Sequence, residues 1–149
     1  MSENAGLTLI LTQVQNATGF TSANTSIGEW GILNKGTSDH YAIIKPGETE
    51  RIPLTFTVKD NMYETIIQVW QRYKDDGDSL TSLLTHVDNI TTRLDPWRKM
   101  ADTTKTIRDA NVTGYGQVIE QWNKDGGVSW LSREISVEWT EEEAVTYAE

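Results

Sequence analysis

The run Tyr63–Tyr73 constrains the fold of this chain more than any other segment. In an extended chain, Tyr63, Ile67, Val69 and Tyr73 fall on one side, and Ile66 and Trp70 fall on the other. Side chains of a strand point alternately to opposite faces, so this run predicts a strand that is apolar on both. Such a strand is central in its sheet or has its second face covered. The chain must therefore build a sheet with layers around it.

The flanking segments supply the rest of that sheet. Tyr41–Lys45 predicts a short strand and Pro46-Gly47 a turn. Ile52, Leu54, Phe56 and Val58 alternate with Arg51, Pro53, Thr55, Thr57 and Lys59, the period of a half-buried strand. Pro53 favours an edge or an early strand position, because proline donates no ladder hydrogen bond. The two runs predict a hairpin, and Asp60-Asn61 a further turn. Near the end, Tyr115–Asn123 and Trp130–Trp139 read as strands joined by a turn at Lys124-Asp125-Gly126-Gly127. Leu131, Arg133, Ile135, Val137 and Trp139 share one side of the last strand.

Two stretches carry the helical period instead. Leu7, Ile10, Leu11 and Val14 recur at i, i+3, i+4 and i+7, and that helix should stop near Gly19. Leu80, Leu83, Leu84, Val87, Ile90 and Leu94 line one face of a second, with Asp78 or Ser79 as its cap and Pro96 beyond its end. Residues 16–40 read as a long polar connection, and residues 97–110 as a mixed, charged one. The order is helix, long loop, three strands, helix, two strands. The expectation is an α+β fold, an antiparallel sheet of about five strands with two helices packed on one face. Leu83, Leu84, Val87, Ile67, Val69, Ile135 and Val137 are expected to be buried together.

At 149 residues the chain is sized for one domain, expected to span 1–149. Glu141, Glu142, Glu143 and Glu149 predict a flexible acidic tail over about 141–149. There is no cysteine, which removes disulfides, thiolate nucleophiles and Cys-ligated zinc, and fits a reducing compartment. No apolar run nears the roughly 20 residues that span a bilayer. Leu7–Val14 lacks the basic start and small-residue cleavage site of a signal peptide. Thirteen basic and 22 acidic residues give a formal charge of −9, which disfavours nucleic-acid binding through the general surface.

Chemistry-bearing constellations are sparse. The only histidines, His40 and His86, fall on a loop and at the flank of the second apolar helix face, where a structural role is the default. Asp75-Asp76-Gly77-Asp78 gathers carboxylates as a calcium loop would. The twelfth position of such a loop, however, is His86 rather than a bidentate Glu, and acidic residues commonly open a helix. Glu120, Glu134 and Glu138 sit on strands whose outer faces normally meet solvent. No phosphate-binding loop or nucleophile elbow is present. The expectation is no catalytic residue, no metal and no cofactor.

What remains points to contacts. Ile27, Trp30, Ile32 and Leu33 form an apolar island in the polar connection, so residues 20–40 are expected to form an assembly surface rather than core. Arg93, Trp97, Arg98, Lys99 and Arg108 mix bases with an aromatic as a nucleic-acid patch does. The interspersed Asp95, Asp102 and Asp109 favour the rim of a protein contact.

The run Trp30-Gly31-Ile32-Leu33-Asn34-Lys35-Gly36, followed by His40-Tyr41-Ala42-Ile43-Ile44-Lys45-Pro46-Gly47, resembles the front of the minor tail and tail-completion proteins of long-tailed bacteriophages. The strand ending Trp70-Gln71-Arg72-Tyr73, the long helix after Asp78 and the final hairpin resemble the layout of the tail terminator. The resemblance covers residues 7 to 140 and rests on element order and aromatic signposts. It implies a homo-oligomeric ring, usually of six, that caps the tail tube, stops its polymerisation and offers the head-docking surface. Implied partners are further copies of the chain, the tail tube protein and a head-completion or connector protein. DNA passes through the lumen without stable binding, and no membrane is involved. The implied location is the virion, after assembly in the host cytoplasm. A different class also fits six tryptophans, a small ligand- or carbohydrate-binding module; an enzyme would need a pocket with a perturbed acid or base.

Overall fold

The computed structural model describes residues 3–28, 38–53, 58–94, 107–122 and 128–144. In chain order the elements are α1 (Glu3–Gln15), β1 (Thr25–Ile27), β2 (His40–Pro53), β3 (Val58–Arg72), α2 (Asp76–Leu94), β4 (Ile107–Tyr115), β5 (Ile119–Trp122) and β6 (Val128–Ala144). The strands form one six-stranded sheet in the order β1-β2-β3-β6-β4, with β5 also beside β6. β1 runs parallel to β2, and the other pairs are antiparallel. The α+β architecture with two helices on one face is the one the sequence implies.

β3 is central, as its two-faced apolar pattern requires. It pairs with β2 on one side and β6 on the other along its whole length. Its residues Tyr63, Ile67 and Val69 face the helices, and the register sets Ala42 and Ile44 of β2 and Ile135 and Val137 of β6 beside them. α1 adds Leu7, Ile10 and Val14, and α2 adds Leu83, Val87, Ile90 and Leu94, to the same buried cluster. Trp139 stacks on Tyr63 at 4.4 Å and donates its indole N–H to Thr65 Oγ1 at 2.9 Å. Gly6 of α1 lies on that indole so closely that a Cβ would overlap the ring. The helices are tied to each other by Arg93 Nε, which donates to Gln13 Oε1 at 3.0 Å.

Part of the face away from the helices, around Tyr41 and Ile43, is buried as well. Tyr41 and Ile43 pair opposite Trp70 and Gln68 there and are fully buried. Ser38 donates its backbone N–H to Tyr41 Oη at 3.0 Å, Tyr41 meets Trp130 edge-on, and the Arg72 guanidinium sits 4.8 Å over the Trp130 ring.

Several local expectations give way. Pro46-Gly47 is no turn: β2 runs through it, with a register shift between Pro46 and Thr49. The bulge accommodates a residue without an N–H, and Gly47 lets the backbone approach the Glu64 side chain, whose Cγ would stand 2.9 Å from a Cβ there. Asp60 and Asn61 lie within β3, paired on both sides, so ladder hydrogen bonding overrides their turn preference. The expected three-strand meander is one long hairpin. β1 arises inside the expected long loop, and β4 begins inside the expected charged connection and runs on to Tyr115, where a strand was expected only to start. β5 is a separate, shorter strand. The acidic tail expected over 141–149 is overturned at Glu141–Ala144, which belong to β6 and pair with β3; residues 145–149 lie outside the described ones. Within α2, Leu84 is only part-buried and Leu80 is 39% exposed, so the buried face runs through Ser79, Leu83, Val87, Ile90 and Leu94.

Candidate assembly surface

β4 and β5 share one edge of the sheet. β4 runs along the C-terminal half of β6 and β5 along its N-terminal half, with residues 116–118 between them. The break is stitched to β6: Gly116 N–H donates to Glu134 O, and Arg133 Nε donates to Gly116 O, both at 2.9 Å. Arg133 then lies over the Tyr115 ring, and Tyr115 Oη bonds Thr91 Oγ1 of α2 at 3.0 Å. All four residues of β5 are exposed. Ile119 is 56% and Trp122 61% exposed, and Tyr115, at the end of β4 on the helix side of the sheet, is 45% exposed. An edge strand offers unpaired backbone groups on its outer side, and large apolar side chains along it make an edge that pairs readily with another chain. Its only charged residue is Glu120.

These three residues are not the ones the sequence singled out for contacts. Ile27 belongs to β1 at the opposite edge of the sheet and packs, partly buried, against the core. The apolar island thus begins as a strand, held by Gly28 N–H on Ile44 O at 2.9 Å. Phe20, Asn24, Thr25 and Ser26 are buried while Thr21, Ser22 and Ala23 are exposed, so the expected assembly surface is interior at 24–26, where a parallel strand closes the sheet. Arg93 is exposed at the end of α2 and bonded to Gln13. Arg108 lies in β4, its backbone opposite Thr140. Trp30, Ile32, Leu33, Trp97, Arg98 and Lys99 lie outside the described residues. A usable signal for Tyr115, Ile119 and Trp122 exists in the sequence: isolated large apolar residues in a strand whose other positions are mostly polar on both faces.

The carboxylates resolve into structural roles. Asp75 caps α2, in place of the expected Asp78 or Ser79: its Oδ1 accepts the Asp78 N–H at 2.8 Å, three residues into the helix. Ser79 Oγ reaches back to accept the N–H groups of Lys74 and Asp75 at 2.8 and 3.1 Å. Glu134 bonds Lys45 Nζ at 3.3 Å and Gln68 Nε2 at 2.8 Å across three strands. Glu120 lies opposite Leu131, on the other face from Glu134. Among the described residues no cluster of His, Asp and Glu is disposed to hold a metal ion, and no helix is long and apolar enough to cross a membrane.

The two histidines, which the sequence leaves unconnected, meet. Their rings stack at 4.0 Å and 13°, with Phe20 edge-on to both at 5.3 and 5.6 Å. His40 Nδ1 bonds Asp39 Oδ1 at 2.7 Å, and its Nε2 bonds Gly19 O at 2.5 Å. Asp39 Oδ2 accepts from Lys74 Nζ at 3.1 Å. The hydrogen bonds from His40 and then Lys74 hold the Asp39 carboxyl down at about 2. Burial, followed by the charge of His40, pushes His86 down to about 4. With both of its nitrogens committed, His40 leaves no free base for a hydroxyl.

Set against models of known protein families and against curated proteins, the sequence matches neither a family model nor a curated protein.

Proposed function

We propose that this chain is a structural assembly subunit, a neck or tail protein of the tail-terminator kind. Its copies close into a ring, of six by the resemblance, on the end of a phage tail tube. The ring stops tube polymerisation and presents a docking surface to the head. The supporting observation is the open sheet edge at β5, which exposes Ile119 and Trp122. A ring needs a head-to-tail contact, in which one patch meets a different patch on the next copy. The β5 edge supplies one side of such a contact, its backbone groups giving hydrogen bonds and its apolar side chains giving buried area. The partners are then further copies of the chain, the tube protein and a connector, within the virion tail.

Native mass spectrometry with electron microscopy of the purified protein tests this reading. Six copies of 16.8 kDa give 6 × 16.8 = 100.8 kDa and a ring with a central hole. Trp122→Ala should lose the ring and keep the circular dichroism of the fold. A strictly monomeric protein over the whole accessible concentration range would overturn the proposal. Exposed Trp122 also suits a second reading, stacking on a sugar ring; it is favoured if the monomer's tryptophan fluorescence responds to saccharides and Trp122→Ala abolishes the response.

A further inference from the structure

The His40–His86 stack joins three pieces of chain that are far apart in sequence. Residues 16–20 follow α1, His40 opens β2, and His86 lies in the middle of α2. Gly19, in the left-handed region at φ 91°, turns its carbonyl to His40 Nε2 and to the Asn24 amide at 3.0 Å. A Cβ there would be in ordinary contact with His40 Nε2 at 3.4 Å and His86 Nδ1 at 3.5 Å, so the turn lies directly against the stacked rings. Asn89 Nδ2 of α2 donates to Thr18 O at 3.3 Å.

Hydrogen-bond inventory decides how the rings share charge. Both nitrogens of His40 face oxygens that only accept, a carboxylate and a backbone carbonyl. Both bonds therefore exist together only when each nitrogen carries a proton. His86 Nδ1 is buried and has no hydrogen-bond partner. A charged ring can stack on a neutral one, but two like charges at 4.0 Å in a desolvated contact repel strongly.

We propose that the His40–His86 stack is an acid-released latch: one proton on the pair clamps the turn at residues 17–20 against α2, and a second proton, taken up by His86, forces the rings apart and frees the turn. Among the described residues the charged or titratable groups facing His86 are few. His40 opens β2, with Asp39 just before it, and from the segment before α2 comes Lys74, paired with Asp39. The turn at 16–20 carries no titratable side chain, and the neighbours of His86 one helical turn away, Ser82, Leu83, Asn89 and Ile90, are uncharged. Asp39 bonds His40 and not His86; its charge favours a proton on His86, but burial and the charge of His40 outweigh it. Release then falls in the acid range, where burial and His40 hold His86 down.

Nuclear magnetic resonance on the intact protein between pH 7 and pH 3 tests the latch. The imidazole C–H shifts report each protonation, and amide hydrogen exchange, as protection factors, reports the turn. Protonation of His86 should coincide with a loss of at least about tenfold in protection at the Ala17 and Phe20 amides, an opening local to the turn. The core amides of β3 should stay protected. In His86→Phe, which keeps a stacking ring and removes the proton site, the turn should hold its protection across the same range. His86 protonating in the wild type with no change at Ala17 and Phe20 would overturn the proposal, whatever the variant does. Equal acid release in a folded His86→Phe would overturn it too.

Discussion

At the residue scale, two contacts set how much a single change can cost. Gly6 has no room for a Cβ because the Trp139 indole occupies that space, and Trp139 is itself anchored to Thr65 and Tyr63. Gly6→Ala must push helix and indole apart, and overpacking of this kind costs about 1–3 kcal/mol; urea unfolding should show that loss even though alanine is the better helix former. Leu83 is fully buried, and Leu83→Ala should cost about 2–5 kcal/mol. Leu84, equally periodic in the sequence, is only part-buried and should cost clearly less, so the pair measures which helix face is core. Ionisable side chains make stability depend on pH in two windows. His86 is held below its ordinary 6.5, at about 4, so between these values the unfolded chain binds a proton that the folded one refuses. Stability therefore falls as pH drops from 6.5 to 4. Asp39 is held at about 2 rather than 3.8 and removes further stability as pH falls from 3.8 toward 2. Denaturant titrations at stepped pH should show a decline that starts above pH 5, and His86→Phe should delay it to the carboxylate range.

At the element scale, α2 shows what a cap contributes. Asp75→Ala leaves the third N–H of the helix without its acceptor and should cost about 1 kcal/mol, read as a lower urea midpoint with an unchanged slope. The sequence does not single out the cap because Asp75, Asp78 and Ser79 are all good cap residues. The reciprocal bond from Asp75 N–H to Ser79 Oγ settles the choice, and it exists only once the chain has turned. Elements with strong periodicity were legible: α1, α2, β3 and β6 lie where their apolar spacing puts them. β2 reads as two strands in the sequence because Pro46-Gly47 is a strong local turn signal, yet the long β3 beside it offers a ladder that a bulge can follow. β4 was missed because Arg108, Asp109, Asn111 and Gly114 interrupt any alternation, and its pairing with β6 shifts register twice. β1 has three residues and no pattern to read; it exists because β2 has an edge to fill. The histidine stack was invisible for the same reason as β1, since it depends on where non-local strands bring the chain.

At the scale of the whole molecule, charge and the β5 edge pull in opposite directions. Each copy carries a formal −9, and a ring of six would carry 6 × −9 = −54. Like-charged copies repel at long range, and that repulsion is screened over a Debye length of about 8 Å at physiological ionic strength. The proposed contact at β5 is mainly apolar and backbone in character, with Ile119, Trp122 and Tyr115 exposed, and salt does not weaken such contacts. Self-association should therefore strengthen as salt rises. Docking to a partner through complementary charge behaves the other way, because screening removes the attraction that holds it. The basic residues Arg93, Arg98, Lys99 and Arg108 are proposed for that second kind of contact, with a partner protein. Sedimentation velocity at low and at high salt separates the cases: the weight-average mass of the chain alone should rise with salt, and Trp122→Ala should hold it near 16.8 kDa throughout. A mass that falls as salt rises would mean that the copies meet through opposite charges and not through β5. Binding of duplex DNA at physiological salt would assign the basic residues to phosphate, and an acidic chain that binds DNA there must do so through a local basic patch.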